Sequence, residues 1–225
     1  METAFGKRLD RVRQASPLVH CISNLVTAND CANIVLAAGA SPIMADAPEE
    51  VREITALSRA LCLSLGTPNP RKADAMFLAG RKAAELGLPV VFDPVGVGAS
   101  AYRQEVARKL LQDIPLTVLR CNASELQTLS GQSLVSRGVD AGKAPELETL
   151  LPLAERFAAA HHCIVAVTGA EDIVTDGTTA YGIRSGTPLL RQVTGTGCML
   201  SVLTAAFVGA NPEAPLEAAA AAVCM

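Results

Sequence analysis

The chain has 225 residues, half of them hydrophobic, with 18% charged, 3% aromatic, no Trp and a net charge of −3. That length suits one large α/β domain better than two small ones, with a core built from Ala, Leu, Val and Ile. The mild acidity, with no basic run or aromatic–basic stripe, excludes a nucleic-acid surface. No apolar stretch reaches transmembrane length without Gly, Pro or charge, so no membrane partner is expected.

The predicted elements alternate along the chain. Glu2–Gln14 puts Phe5, Leu9 and Val12 on one face and reads as an amphipathic helix. Leu18–Ile22 reads as a strand. Thr27-Ala-Asn-Asp30 has the form of a cap opening a helix that stops at Gly39. Pro42–Ala45 is short and extended, and Asp46, two residues before Pro48, looks like the start of the next helix. Ala60–Leu65 is a buried strand, Arg71–Leu86 a helix closed by Gly87, and Pro89–Asp93 a strand ending in an acid. Ala101–Gln112 is helical. Leu116–Arg120 is a strand followed at once by Asn122-Ala-Ser-Glu125 and a short helix. Gly131–Ala144 reads as a surface loop, Glu146–Ala160 as a helix and Cys163–Val167 as a strand running into Thr168-Gly169. Asp172–Thr175 and Thr179–Ile183 form a hairpin about Asp176-Gly177. Another extended piece is expected to lead to Gly195, and the chain ends in the helical run Glu217–Met225, with no stop signal.

Such strand–helix alternation implies a mostly parallel sheet with helices on both faces. Ligands bind such sheets at the carboxyl ends of the strands. Three motifs fall there: Asp93 onward, Arg120 to Glu125, and Thr168-Gly169. The seven cysteines are scattered, without a Cys-x-x-Cys pair or zinc-like His/Cys spacing, and read as free buried thiols of a reducing cytoplasm.

The most specific run is Gln192-Val-Thr-Gly-Thr-Gly-Cys-Met-Leu200, a glycine turn directly before the uncharged stretch Met199–Val208. Glycines before a helix let backbone N–H groups converge, and the helix dipole adds positive charge. Gly195, Thr196 and Gly197 would then form an anion nest, with the Cys198 thiolate favoured at the helix start. Taken singly, each feature has a plain structural reading as well. Asp93 before Pro94 starts a turn, Glu125 matches a helix dipole, Asn122 caps, Arg120 pairs with an acid, Thr168-Gly169 is turn chemistry and Met44 fills core. There is no Walker A motif, no Gly-x-Ser-x-Gly elbow, and Gly96-Val-Gly98 lacks the third glycine of a dinucleotide fingerprint. An anion nest, one Arg and two acids at strand ends are the parts that phosphoryl transfer needs.

Together these pieces resemble the hydroxyethylthiazole kinases, within the ribokinase-like group. The resemblance rests on Val19-His-Cys-Ile-Ser-Asn24, Asn29 with Asn33, Gly39-Ala-Ser-Pro-Ile-Met-Ala45, Asp93-Pro-Val-Gly-Val-Gly-Ala99, Asn122-Ala-Ser-Glu125, Val167-Thr-Gly169 and Val193-Thr-Gly-Thr-Gly-Cys-Met-Leu200, in family order over nearly the whole chain. It implies a cytoplasmic single-domain kinase over 1–225 with a three-layer ribokinase-like fold. The implied reaction uses MgATP to phosphorylate 4-methyl-5-(2-hydroxyethyl)thiazole, in thiazole salvage for thiamine. It places Met44 and Gly195 on the thiazole with Asn24 and Val26 nearby, Arg120, Thr168 and Asn122 on ATP, and Asp93 and Glu125 at the Mg²⁺–phosphate region. It also implies a homotrimer with the thiazole site between subunits. Cys198 stands where the wider group carries an aspartate base and is the candidate catalytic residue, Cys121 stands where the family usually has glycine, and the chain stops where family members usually continue. The rival readings are a hydroxymethylpyrimidine kinase, an ATP-dependent hydrate dehydratase, and a thiazole binder without turnover.

Overall fold

The structure, a computed structural model, describes residues 4–131 and 147–225. Most of the expected loop at Gly131–Ala144 lies outside the described residues. One sheet of eight strands organises the rest, in the order β2-β1-β3-β4-β5-β6-β7-β8. The strands are β1 Leu18–Ile22, β2 Ser41–Ile43, β3 Ala60–Ser64, β4 Val90–Asp93, β5 Val118–Asn122, β6 Ile164–Thr168, β7 Asp172–Thr175 and β8 Ala180–Ile183. β1 to β6 run parallel, and the β7–β8 hairpin adds two antiparallel strands at one edge.

The helices are α1 Ala4–Ala15, α2 Ala28–Ala38, α3 Val51–Leu57, α4 Pro70–Leu86, α5 Ala101–Asp113, α6 Ala123–Leu129, α7 Leu147–His161, α8 Thr196–Ala210 and α9 Pro215–Val223. Alternate strand residues split the core in two. Cys21, Cys62, Val91, Val118 and Ala166 pack with α1, α2, α8 and α9. Ile22, Leu63, Phe92, Leu119 and Val165 pack with α4, α5 and α7 on the other face. Burial on both faces explains why the parallel strands read as continuous apolar runs. α8 is apolar all round because it is covered all round: nine of its residues, from Cys198 to Val208, are buried.

Local chemistry sets most boundaries. Gly39 and Gly87 close α2 and α4 in the left-handed conformation, at φ 95 and 63. Asn69 Oδ1 accepts from Lys72 N to cap α4, and Ser100 Oγ accepts from Arg103 N to cap α5. The structure corrects three expectations. Asp46 does not open α3; Ala47–Glu50 closes a turn, Glu50 N donating to Ala47 O at 3.0 Å, and the helix begins at Val51. Thr27 precedes α2 without a side-chain cap bond. The piece before Gly195 is not extended, since Pro188–Gln192 forms a 3-10 turn.

The chain passes from β1 to β2 on one side and then to β3 on the other, so the strand order reverses between β1 and β3. Sheets of this kind open a crevice at such a point, beyond the carboxyl ends of the strands.

Candidate active site

The expected residues stand along that carboxyl rim. β4 ends at Asp93, β5 at Asn122 and β6 at Thr168, and parallel pairing sets Asn122 beside Thr168. α8 begins over the same rim. Gly195 is its N-cap at φ 83, no side chain caps it, and its first turn holds no acid. The amides of Thr196, Gly197 and Cys198 are donors that a helix cannot satisfy internally, at the positive end of its dipole. Of the expected nest residues, Gly195 is the cap of this helix and Thr196 and Gly197 open it.

Arg120 ties the rim to this helix. Its Nη2 donates to Thr168 Oγ1 at 2.6 Å, and its Nη1 lies 3.7 Å from Asp93 Oδ2. A Cβ on Gly197 would stand 2.6 Å from Arg120 Nη1, so glycine there makes room for the guanidinium. Asp93 is fully buried; Ser201 Oγ donates to its Oδ2 at 2.7 Å, while Oδ1 has no partner, and neither does Arg120 Nε. Burial pushes the Asp93 carboxyl up, against the pull of Arg120 and the Ser201 bond. Burial works against the charge on Arg120, but Asp93 and Glu125 more than compensate, and its pKa is raised.

Glu125 is buried beside them. Its Oε1 accepts from Gly96 N at 2.8 Å and its Oε2 from Asn122 N at 2.9 Å. Asn122 Oδ1 accepts in return from Glu125 N, completing a capping box on α6. Asn122 is thus a cap, with its side-chain carbonyl committed and only its amide nitrogen available to a ligand. Burial, then the charge of Asp93, raises the Glu125 pKa.

The region suits a divalent cation. Asp93 and Glu125 against Arg120 leave one net negative charge if all are ionised, and Asp93 Oδ1 is a buried acceptor without a donor. A carboxylate also offers more lone pairs than the single bond each Glu125 oxygen accepts. Among the described residues no group of three or more His, Cys, Asp or Glu could hold a metal alone. Mg²⁺ does not require one: it binds through one or two carboxylates together with water and substrate phosphates.

Cys198 does not behave as expected of a thiol at a helix start. Burial, with Asp93 adding to it, pushes its pKa up to about 11, so the thiol is protonated at neutral pH and the thiolate is not favoured.

The other expected residues lie in the turn after β1 and just past β2, and that turn meets the start of α8. A Cβ on Gly195 would stand 2.9 Å from Thr27 Cβ, which seats the glycine turn against the turn after β1. Asn24 lies in that turn, its Oδ1 accepting from Val26 N at 3.0 Å. Val26 is 65% exposed and Met44, just past β2, 38% exposed. Met44 lies one strand over from the turn, with His20 of β1 paired to Ile43. His20 Nε2 is 2.8 Å from Ala45 O, holding the segment that carries Met44. The sequence reading missed Ser201, Lys72 and Thr27 as supports of the site. Only Ser201, one helical turn after Gly197 in an apolar helix, had a visible signal.

The profile of the hydroxyethylthiazole kinase family matches residues 9–225. A curated hydroxyethylthiazole kinase of Clostridium acetobutylicum is 46% identical over 223 residues, 97% of this chain and 82% of that protein. The solved hydroxyethylthiazole kinase protein of Pyrococcus horikoshii OT3 matches with a TM-score of 0.87 at 40% identity, covering 97% of this chain and 81% of that one. A Bacillus subtilis pyridoxal kinase solved as an ADP complex shares the fold, with a TM-score of 0.68 at 20% identity over 92% of this chain and 88% of that one.

Proposed function

The chain belongs to the hydroxyethylthiazole kinase family, and from that premise we propose that it transfers the γ-phosphoryl group of ATP to the hydroxyl of 4-methyl-5-(2-hydroxyethyl)thiazole, a step of thiazole salvage for thiamine. The single observation behind this reading is the uncapped start of α8, flanked by Arg120 and Asp93 on one side and by the Asn24–Val26 turn on the other. A phosphoryl group held at the helix amides would have nucleotide residues on one side and acceptor residues on the other.

In the transfer, the hydroxyl oxygen bonds to the γ-phosphorus. The bond from that phosphorus to the β–γ bridging oxygen breaks, ADP leaves, and the hydroxyl proton passes to a phosphoryl oxygen or to water. Arg120, Thr168 and the amide of Asn122 orient the ATP phosphates. The amides at Gly195, Thr196 and Gly197 stabilise the charge on the moving group. Asp93 and Glu125 would hold Mg²⁺, which would supply positive charge against the phosphates. Gly195, Met44, Asn24 and Val26 shape the thiazole site. Cys198 stands in the position of a base, but a thiol titrating near 11 holds its proton at neutral pH. A loose phosphoryl transfer needs little help from a base, and we assign Cys198 to the pocket wall.

We further infer that the chain works as one kinase domain in the cytoplasm. The described cysteines are free, which suits a reducing compartment. From the family resemblance we propose a homotrimer sharing the thiazole site between subunits, an interface that would cover the exposed Leu25 (69%), Val26 and Met44. Sedimentation giving a fully active monomer would refute the shared site.

The test is ADP release by the purified chain with MgATP, with and without the thiazole alcohol, and with hydroxymethylpyrimidine as the competing acceptor. Thiazole-dependent ADP is the expected result. ADP only with the pyrimidine would assign a different ribokinase-like kinase. Thiazole binding without turnover would make the chain a binder.

A further inference from the structure

Lys72 sits in a place that ordinary folding preferences oppose. It lies in the first turn of α4, against the positive end of that helix, and is 3% exposed. A cation there is unfavourable on both counts. Its surroundings show the compensation. The ammonium donates to Ser23 O at 2.6 Å and to Gly66 O at 2.7 Å. Ser23 follows β1 and Gly66 follows β3, so Lys72 spans the crevice where the strand order reverses.

The two turns it joins are interlocked. Gly66 packs so close to Asn24 that a Cβ would stand 2.6 Å from the Asn24 side chain. Thr67 adopts φ 47, a conformation that strains a β-branched residue, and its Oγ1 accepts from Leu25 N at 3.2 Å. Thr27 N donates to Asn24 O at 3.1 Å, completing the turn that carries Asn24 and Val26. A buried cation and a strained threonine thus converge on one five-residue segment.

We propose that Lys72 is a positioning residue for the acceptor, locking the Asn24–Val26 turn to the end of β3; the proposal rests on reading that turn as part of the thiazole site. Lys72 acts through backbone carbonyls and touches no reacting atom. Burial lowers its pKa to about 8, with the charge of Asp46 the main opposing influence. The amine keeps two N–H groups after losing a proton, so the lock survives deprotonation.

The test compares wild type, Lys72→Met and Thr67→Gly. With the thiazole alcohol and MgATP varied in turn, Lys72→Met is expected to raise the acceptor KM by about tenfold or more, with the ATP KM within about twofold. Thr67→Gly should shift the acceptor KM selectively and by less. Amide exchange gives a readout independent of turnover. In Lys72→Met the Leu25 and Thr27 amides should exchange faster, while the Gly169 amide, held by Asp172 Oδ1, keeps its rate. Unchanged exchange at Leu25 and Thr27, or equal rises in both KM values, overturns the proposal. If Lys72→Met does not fold, Thr67→Gly decides by the same two readouts. If wild type does not phosphorylate the thiazole alcohol, the functional reading fails by itself, and exchange still decides whether Lys72 locks the turn.

Discussion

Replacing Gly197 with alanine tests the link between α8 and the nucleotide side of the site. Gly197 does not have a positive φ, so the substitution carries no backbone strain. Helix propensity favours it by up to about 1 kcal/mol. The new methyl would meet Arg120 at Nη1 (2.6 Å), Nη2 (2.9 Å) and Cζ (3.0 Å), so the guanidinium must move. It is the end of a flexible chain and can move, but not while keeping its 2.6 Å bond to Thr168 Oγ1 and its approach to Asp93. Losing one hydrogen bond of a charged group costs about 1.5–3 kcal/mol. Against the propensity gain, the net loss of stability is about 0.5–3 kcal/mol. If the same contact orients the ATP phosphates, kcat/KM for ATP falls by about 10- to 150-fold, and the thiazole KM moves little. Steady-state kinetics with each substrate varied, beside a thermal melt, reads both quantities. A higher melting temperature with unchanged kcat/KM for ATP would show that Arg120 is not held against α8 as described or does not serve the nucleotide.

Gly195→Ala should be far more damaging to the fold. Its φ of 83 costs an alanine about 1–2 kcal/mol, and crowding against Thr27 about 1–3 more; a melt within about 2 °C of wild type would contradict the packing of the two turns. Cys198→Ala should keep kcat and both KM values within about threefold, because a thiol near pKa 11 is no base at neutral pH; a hundredfold fall in kcat would restore the base. Alkaline pH should destabilise the fold. Cys21, Cys31, Cys62, Cys121, Cys163 and Cys198 all have raised pKa values, with burial the leading cause. The folded chain therefore keeps protons that the unfolded chain releases, and stability falls as pH rises through the ordinary thiol range. A thiol that stays protonated in the fold while the unfolded chain ionises contributes about 1.4 kcal/mol per pH unit there. Lys72, with its pKa lowered to about 8, works in the opposite direction but is one group. Equal urea midpoints at pH 8 and 10 would refute the sign.

Sequence exposed what short-range chemistry controls. β1 falls on Leu18–Ile22 as read, and the glycine stops at Gly39 and Gly87 hold because only a left-handed residue ends those helices cheaply. The Asn122–Glu125 cap was visible as spacing, and Asp93 as a polar residue closing an apolar strand. What the sequence hid depends on partners distant along the chain. Cys198 looked activated from its helix position alone, but Asp93, about a hundred residues away, and the core around it decide its pKa. Lys72 carries no signal within the helix read over Arg71–Leu86, because nothing local shows that Ser23 O and Gly66 O surround it. Asp46 carried a correct cap residue type, yet the turn from Ala47 to Glu50 moved the helix start to Val51.

The unmatched polar atoms of the site belong to one place. Asp93 Oδ1 and Arg120 Nε are buried without partners, and the first amides of α8 lack a cap. The Arg120 guanidinium also lies over Gly197, a cation against the positive end of a helix. Each of these is unfavourable for folding alone, and buried groups of this kind cost about 1–3 kcal/mol apiece when unsatisfied. A phosphate group reached by both the guanidinium and the helix amides would offset that repulsion, and a cation beside Asp93 would supply what Oδ1 lacks. Features that weaken the fold and that a phosphate with its metal would jointly satisfy are what a phosphoryl-transfer site requires, since binding energy is then greatest where charge moves.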